Sequence, residues 1–327
     1  MATVKSRIAF SILVPTVPRR PEQILPFAAL TAWTPAARLW QGQSLLVEPY
    51  QGFAHAAGAG FRVPVGLGVA LMGLRNPYEA AGQARSLATV TGHPVVAGFG
   101  PGAPVFQRAV LGRPYPSPLT ACREYLTAVR QLLGGGVVEV AGEYVNMTAQ
   151  LTPTPAPPVE LGLGVLRPGM ARLAGEVADV AITWLTPAAY LRSSVVPALR
   201  AGAEAANRPM PRLTAIVPMA LGRPDRTPVE IALASNAGHL QAPHYRDMLR
   251  RAGAGIGPDD SLEDAGKALV GCDGFLSGSP EQLAELVAEY ADAGVDEIVI
   301  NVTGVHALYG QQAALAELRT ILAEVAR

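Results

Sequence analysis

The chain has few cysteines and no excess of charge of either sign. Cys122 and Cys272 lie far apart and form no CxxC pair, so neither a disulfide framework nor a zinc cluster is expected, and the reducing cytoplasm is the expected compartment. The 26 basic and 26 acidic side chains cancel, which argues against a nucleic-acid-binding protein. No apolar stretch is long enough to cross a bilayer, so a membrane is not an expected partner either.

Several catalytic signatures are also missing. The sequence has no Walker loop, no GxSxG elbow and no HExxH motif, and no GxGxxG fingerprint follows its first apolar run. Among the five histidines only His239 and His244 are near neighbours, and a separation of five residues is poor for two metal ligands on one helix face. We therefore expect no metal.

Short apolar runs alternate with helical patterns along the whole chain, which is typical of βα units and a parallel sheet. The predicted barrel strands are Ile8–Val14, Arg38–Gln41, Val65–Leu71, Pro94–Gly98, Val159–Val165, Val180–Trp184, Leu213–Leu221 and Asp296–Asn301. Eight such units predict an α/β fold, a single (β/α)8 TIM barrel over residues 1–327, with a doubly wound open sheet as the main rival.

Three segments depart from this repeat. Val137–Val140 and Glu143–Met147 flank Ala141-Gly142 and predict a small hairpin outside the barrel. The stretch 222–275, between predicted strands seven and eight, is too long for an ordinary βα connection and predicts a helical insertion. The closing helix is predicted from about Tyr309 to Val325.

Glycine-rich loops are the main candidates for a binding site. Gly100-Pro101-Gly102 follows strand four, and Gly164-Val165-Leu166-Arg167-Pro168-Gly169 ends strand five and opens a helix. Glycine lets a ring or phosphate approach the backbone, and the helix opening at Pro168 offers free N–H groups to an anion beside Arg167. For any single loop, a purely structural role in tight turns is the competing interpretation.

Together these loops resemble the luciferase-like superfamily, in particular its coenzyme F420-dependent branch. The resemblance lies in the segments Val65–Leu71, Arg75–Pro77, Gly98–Gly102, Arg167–Gly175, Gly278–Glu281 and Ala291–Glu297. It implies an oxidoreductase with a flavin or deazaflavin ring at the C-terminal mouth of the barrel, the cofactor being reduced F420, with FMN as the alternative.

The resemblance also implies where the cofactor binds. Relatives carry a non-prolyl cis peptide at the end of strand three, which here would fall within Val69, Ala70 and Leu71. The cofactor-binding residues implied in this way are Val69, Ala70, Leu71, Gly100, Pro101, Gly102, Gly164, Val165, Leu166, Arg167, Pro168 and Gly169.

One segment departs from the family pattern. Relatives often carry Trp-x-Gly-Asp-His after strand two, whereas this chain reads Trp40-Gln41-Gly42-Gln43-Ser44. The acid/base pair is thus replaced by Gln43 and Ser44, which cannot take a proton from an alcohol but can hydrogen-bond a carbonyl oxygen. Gln43 and Ser44 are therefore the predicted catalytic residues, for reduction of an activated C=C bond.

A narrower resemblance concerns the substrate. Arg38–Ser44 and Gly162–Met170 are similar to the F420-dependent reductases that act on dehydroamino acids in lanthipeptide biosynthesis, which implies reduction of dehydroalanine in a precursor peptide. The open alternatives are an FMN monooxygenase, an F420-dependent reductase of a small unsaturated substrate, and a non-catalytic flavin-binding protein.

Four residues are candidates for contact with a peptide or small-molecule substrate. Trp40 and Trp184 lie at strand ends and could wall the pocket or pack in the core, and His244 and Tyr245 lie in the insertion, where a surface helix is the competing interpretation. The oligomeric state, with a homodimer as one option, stays open.

Overall fold

The computed structural model describes residues 8–326, which fold into a closed barrel of eight parallel strands with helices between them. This confirms the predicted fold class. Within residues 8–326 the strands are β1 (Ala9–Leu13), β2 (Leu39–Gln41), β3 (Val65–Leu71), β4 (Val95–Gly100), β5 (Val137–Ala141), β6 (Asn146–Gln150), β7 (Val159–Gly164), β8 (Val180–Trp184), β9 (Arg212–Leu221), β10 (Leu276–Gly278) and β11 (Glu297–Asn301). The barrel strands β1–β4, β7–β9 and β11 follow one another in chain order, and the barrel closes where β9 pairs with both β8 and β11. β5 and β6 form the separate hairpin, and β10 pairs with β9 outside this closed order.

Helices cover the outside of the barrel. Most begin with proline in their first turn, where the missing N–H costs nothing. Over the same residues the helices are α1 (Leu25–Ala32), α2 (Pro49–Gly58), α3 (Pro77–Thr91), α4 (Pro104–Leu111), α5 (Pro118–Leu133), α6 (Pro168–Val177), α7 (Ala188–Tyr190), α8 (Val196–Ala205), α9 (Pro228–Gln241), α10 (Pro243–Arg251), α11 (Leu262–Gly271), α12 (Pro280–Asp292) and α13 (Thr303–Thr320). The segment 222–275, predicted as a helical insertion, contains α9, α10 and α11.

Two predicted elements differ from the structure by three residues or more at a boundary. The second hairpin strand is Asn146–Gln150 instead of Glu143–Met147, because the Glu124 carboxylate accepts the backbone N–H groups of residues 143–145 and holds them in a turn. The closing helix begins at Thr303 instead of about Tyr309, and Gly310, with φ of 82°, breaks it.

The barrel interior is filled by a separate apolar cluster, which consists of Leu13, Trp40, Val96, Val180, Ile182, Ile216 and Val299. Below it lies the buried carboxylate of Glu297, which accepts hydrogen bonds from Ser11 Oγ at 2.5 Å and Trp40 Nε1 at 2.7 Å. The Arg38 guanidinium lies 3.6 Å from the same carboxylate. A buried carboxylate is tolerated here because it is paired and hydrogen-bonded.

Candidate active site

A cavity of about 1000 Å³ opens at the C-terminal ends of the barrel strands, where active sites of this fold are built. We call it the mouth cavity. Its walls come from the loops after β1, β2, β4 and β7, from the C-terminal ends of strands β3 and β8, and from α9 and α10.

The floor of the mouth cavity is apolar. Leu13, Val69, Ile182 and Ile216 line it and continue into the interior cluster. The peptide bond between Gly68 and Val69 is cis. The predicted position, within Val69–Leu71, was therefore one bond too far along the chain. The pairing of β3 with β4 shifts register here, between Leu67 and Ala70.

Val69 also explains why two of the strand ends carry glycine. A Cβ on Gly100 would approach Val69 Cγ2 to 2.9 Å, and one on Gly164 would approach Val69 Cγ1 to 3.3 Å. These glycines therefore have a packing role, and they also leave the backbone of β4 and β7 open to the cavity.

The loop after β2 brings both predicted catalytic residues into the cavity lining. The Gln43 amide oxygen accepts from the N–H of Leu71 at 3.3 Å and from Arg75 at 3.4 Å, while its amide nitrogen donates to the Ser44 carbonyl at 2.8 Å. The Ser44 hydroxyl accepts from the N–H of Leu46 at 3.1 Å and keeps its own proton free to donate. The Gln43 side chain thus uses most of its hydrogen-bonding groups to link the loop after β2 to β3, whereas the Ser44 hydroxyl is an available donor.

Nine of the twelve residues predicted to bind the cofactor line the mouth cavity. They are Val69, Leu71, Gly100, Pro101, Gly102, Gly164, Val165, Leu166 and Arg167. The other three are Ala70, which is fully buried, and Pro168 and Gly169, which do not line the cavity.

The loop after β4 is held by a residue that the sequence analysis missed. Gln107 on α4 is buried and donates to the carbonyls of Pro101 at 3.1 Å and Gly102 at 2.8 Å, while it accepts from the N–H of Tyr115. Its spacing from Gly102 gave no usable signal, because the contact depends on how α4 packs back over the loop.

The start of α6 provides an anion-binding geometry. Arg167 is its N-cap residue without a side-chain cap, Pro168 has no N–H, and the N–H of Gly169 has no intrahelical acceptor. The Arg167 guanidinium lies 3.4 Å from the Asp247 carboxylate, which also pairs with Arg250 and Arg251. Three guanidiniums around one carboxylate leave this rim of the cavity positive.

An aromatic wall closes the cavity on the side of β8 and the insertion. Trp184, His244 and Tyr245, all predicted substrate residues, line the cavity, and so does His239, whose place in the site was not predicted. The His239 ring stacks on Trp184 with centroids 5.3 Å apart and meets the Tyr245 ring edge-on at 5.0 Å. Both histidines reach the cavity because α9 ends at Gln241 and α10 starts at Pro243, so they do not share one helix face.

Trp40 lies elsewhere. It is fully buried in the barrel interior, it does not line the mouth cavity, and its indole excludes any side chain at Gly66, where a Cβ would come within 2.5 Å. Of the two interpretations of Trp40, the structure therefore favours core packing.

These residues fit a planar ring with a phosphate-bearing tail. The apolar floor and the open backbone of β3, β4 and β7 suit a flat ring, and the start of α6 with Arg167 suits a phosphate. Among residues 8–326 there is no group of three or more metal-ligating side chains, and no helix is long and apolar enough to span a membrane.

Comparisons with known proteins agree with this geometry. The chain is 27% identical to 5,10-methylenetetrahydromethanopterin reductase of Methanolobus tindarius over 253 residues, which cover 72% of this chain and 76% of the relative. It is 27% identical to F420-dependent glucose-6-phosphate dehydrogenase of Nakamurella multipartita over 216 residues, 62% of this chain and 61% of the relative.

Among solved structures, the coenzyme F420-dependent tetrahydromethanopterin reductase of Methanopyrus kandleri superposes with a TM-score of 0.74 at 21% identity, covering 98% of both chains, which shows a shared fold. The family model for luciferase-like monooxygenases matches residues 12–297, most of the sequence. The chain therefore belongs to the luciferase-like monooxygenase family, as the resemblance predicted.

Proposed function

We propose that this protein is a coenzyme F420-dependent reductase that adds hydride to an activated C=C bond, with dehydroalanine in a lanthipeptide precursor peptide as its substrate. Family membership supports an oxidoreductase, and the F420 dependence named for the glucose-6-phosphate dehydrogenase and the Methanopyrus reductase supports this cofactor over FMN.

In this proposal Val69 and the backbone of β4 and β7 would hold the cofactor ring, and the N-terminus of α6 with Arg167 would hold its phosphate. Gln107 supports the same site indirectly, because it holds the Pro101 and Gly102 carbonyls in place.

The observation that carries the proposed reaction is the chemistry of the loop after β2. Gln43 and Ser44 occupy this wall of the cavity, and neither side chain titrates near neutral pH. The nearby Glu48 does not line the cavity; it caps α2 and pairs with Arg75 at 2.8 Å. His55 does not line it either. This wall thus offers hydrogen-bond donors and no base for removing a proton from an alcohol.

Such a wall suits the addition of hydride to a conjugated double bond. Reduced F420, when bound, supplies the hydride to the β-carbon of the substrate. The amide oxygen of the substrate then gains negative charge, and the Ser44 hydroxyl donates to it, with the remaining Gln43 N–H as a second donor. A proton from the solvent then adds to the α-carbon, which completes the reaction and gives alanine.

The size and rim of the cavity support a peptide substrate. The cavity volume of about 1000 Å³ is at the upper end of the range usual for ligand pockets. Exposed apolar side chains surround the β2 side, with Val17 59%, Leu45 67% and Leu46 62% exposed. Exposed apolar groups at a cavity rim are typical of a surface that contacts a larger ligand.

The decisive experiment incubates a dehydrated precursor peptide with the protein and reduced F420 and follows the peptide by mass spectrometry. We expect a gain of two hydrogens for each dehydroalanine reduced, and none with reduced FMN. Turnover of small unsaturated acceptors alone would move the substrate to a small molecule. Oxygen-dependent turnover with FMN would support a monooxygenase, and tight cofactor binding without turnover of any acceptor would support a flavin-binding protein.

A further inference from the structure

His239 lines the mouth cavity, and the chemistry above leaves it unused. It lies in the last turn of α9, and its ring is held between the face of Trp184 and the edge of Tyr245, at 5.3 Å and 5.0 Å between ring centroids. Two aromatic neighbours on two different elements, β8 and α10, fix the orientation of the imidazole. A catalytic group needs such a fixed orientation.

The ring nitrogens of His239 have no partner within the described part of the chain. No backbone or side-chain group of residues 8–326 hydrogen-bonds to them, and both stay accessible because the side chain is half-buried and lines the mouth cavity. An imidazole that donates or accepts nothing within the protein, while it faces a cavity, is available to a ligand.

The surroundings keep this imidazole neutral. Burial, together with the neighbouring His244, lowers the pKa of His239 to about 4. The other titratable or charged groups that line the cavity near it are Tyr245 and Asp247 on α10 and Arg167 before α6. A neutral imidazole carries one N–H donor and suits hydrogen bonding to an oxygen that becomes negative, whereas it is a poor source of protons at neutral pH.

His239 also stands across the barrel from the donors on the loop after β2. In the closed order of eight strands, β2 and β8 are four strands apart, so Ser44 and the pair of Trp184 and His239 face the cavity from opposite sides. A substrate bound in the mouth cavity would lie between these two walls.

We propose that His239 is a catalytic residue that donates its N–H to the substrate oxygen on which charge develops during hydride addition. This inference rests on the proposed reductase function and adds a donor from the insertion to those on the loop after β2. The hydrogen bond strengthens as the oxygen gains charge, so it acts mainly on kcat.

The test compares His239→Phe, which keeps the aromatic stack and removes both nitrogens, with His239→Gln, which keeps an N–H donor. His306→Phe is the matched control, because His306 is half-buried, contacts Phe27 and does not line the cavity. We expect His239→Phe to lower kcat for the dehydrated peptide on the order of a hundredfold, with the Kd of F420 within about twofold of the parent. His239→Gln should recover at least about tenfold of that loss, and His306→Phe should leave kcat unchanged.

Two further readouts separate catalysis from packing. Between about pH 6 and pH 8, the pH profile of kcat/KM should contain no ionisation that belongs to His239. The parent and His239→Gln should therefore show the same midpoints in this range. The ring N–H resonance of His239 should shift when the saturated product peptide is added.

Three outcomes would overturn the inference while the proposed function stands. They are a kcat of His239→Phe within about threefold of the parent, equal losses of kcat in both His239 variants, and a rate that rises steadily towards acid pH. A parent that reduces no activated alkene would instead refute the proposed function, and this inference with it.

Discussion

The half-buried imidazole of His239 should make the folded protein sensitive to acid. Its pKa in the folded state is lowered to about 4, by burial and by His244, from an ordinary value of 6.5. As the pH falls below 6.5, the imidazole of the unfolded chain takes up a proton while the folded one stays neutral. The unfolded state then binds more protons, so the stabilising contribution present above pH 6.5 is lost as the pH approaches 4.

The size of this effect follows from the two pKa values. Each pKa unit corresponds to 1.36 kcal/mol, so the full loss is about 3 kcal/mol, of which about 2 kcal/mol has disappeared at about pH 5. His239→Phe and His239→Gln cannot bind this proton in either state. Their free energies of unfolding should therefore fall by about 2 kcal/mol less than that of the parent between about pH 7.5 and about pH 5.

Urea unfolding curves at the two pH values measure this difference, and the two variants control for each other. Phe keeps the stacking on Trp184 and Gln does not, so a shared loss of acid sensitivity isolates the titration of the imidazole from its packing. Equal pH dependence in the parent and both variants, or an NMR titration of the His239 ring with a midpoint near 6.5, would refute the reasoning.

Three further predictions concern the cofactor, the reaction and the core. Arg167→Ala should weaken binding of F420 by about 1.5–3 kcal/mol in a fluorescence titration, but should not weaken binding of a phosphate-free deazaflavin; equal losses would argue against a phosphate contact. Ser44→Ala should slow peptide reduction on the order of a hundredfold without changing the Kd of F420, and an unchanged rate would remove Ser44 from the reaction. Glu297→Leu should lower the free energy of unfolding by about 3–5 kcal/mol, because it leaves Arg38 unpaired inside the barrel. The surface change Glu289→Leu should cost less than about 1 kcal/mol in the same assay.

The amino-acid sequence by itself determined the barrel. Parallel strands buried on both faces appear as continuous apolar runs, and both β3 (Val65–Leu71) and β8 (Val180–Trp184) lie where such runs predict them. Local capping signals were equally readable, since the box of Ser279 and Gln282 at the start of α12 depends on residues three positions apart. The glycine-rich strand ends, with the family resemblance, placed nine of the residues that line the cavity.

Tertiary structure alone decided which side chains face the cavity. β2 has three residues, too few for its alternation to show that Trp40 points inward while the loop beyond it reaches the mouth. His239 and Trp184 are far apart in the chain, and they meet only because the helix break before Pro243 turns α9 and α10 onto the end of β8. Periodicity within one element carries no information on such contacts, because they are set by how distant elements pack against each other.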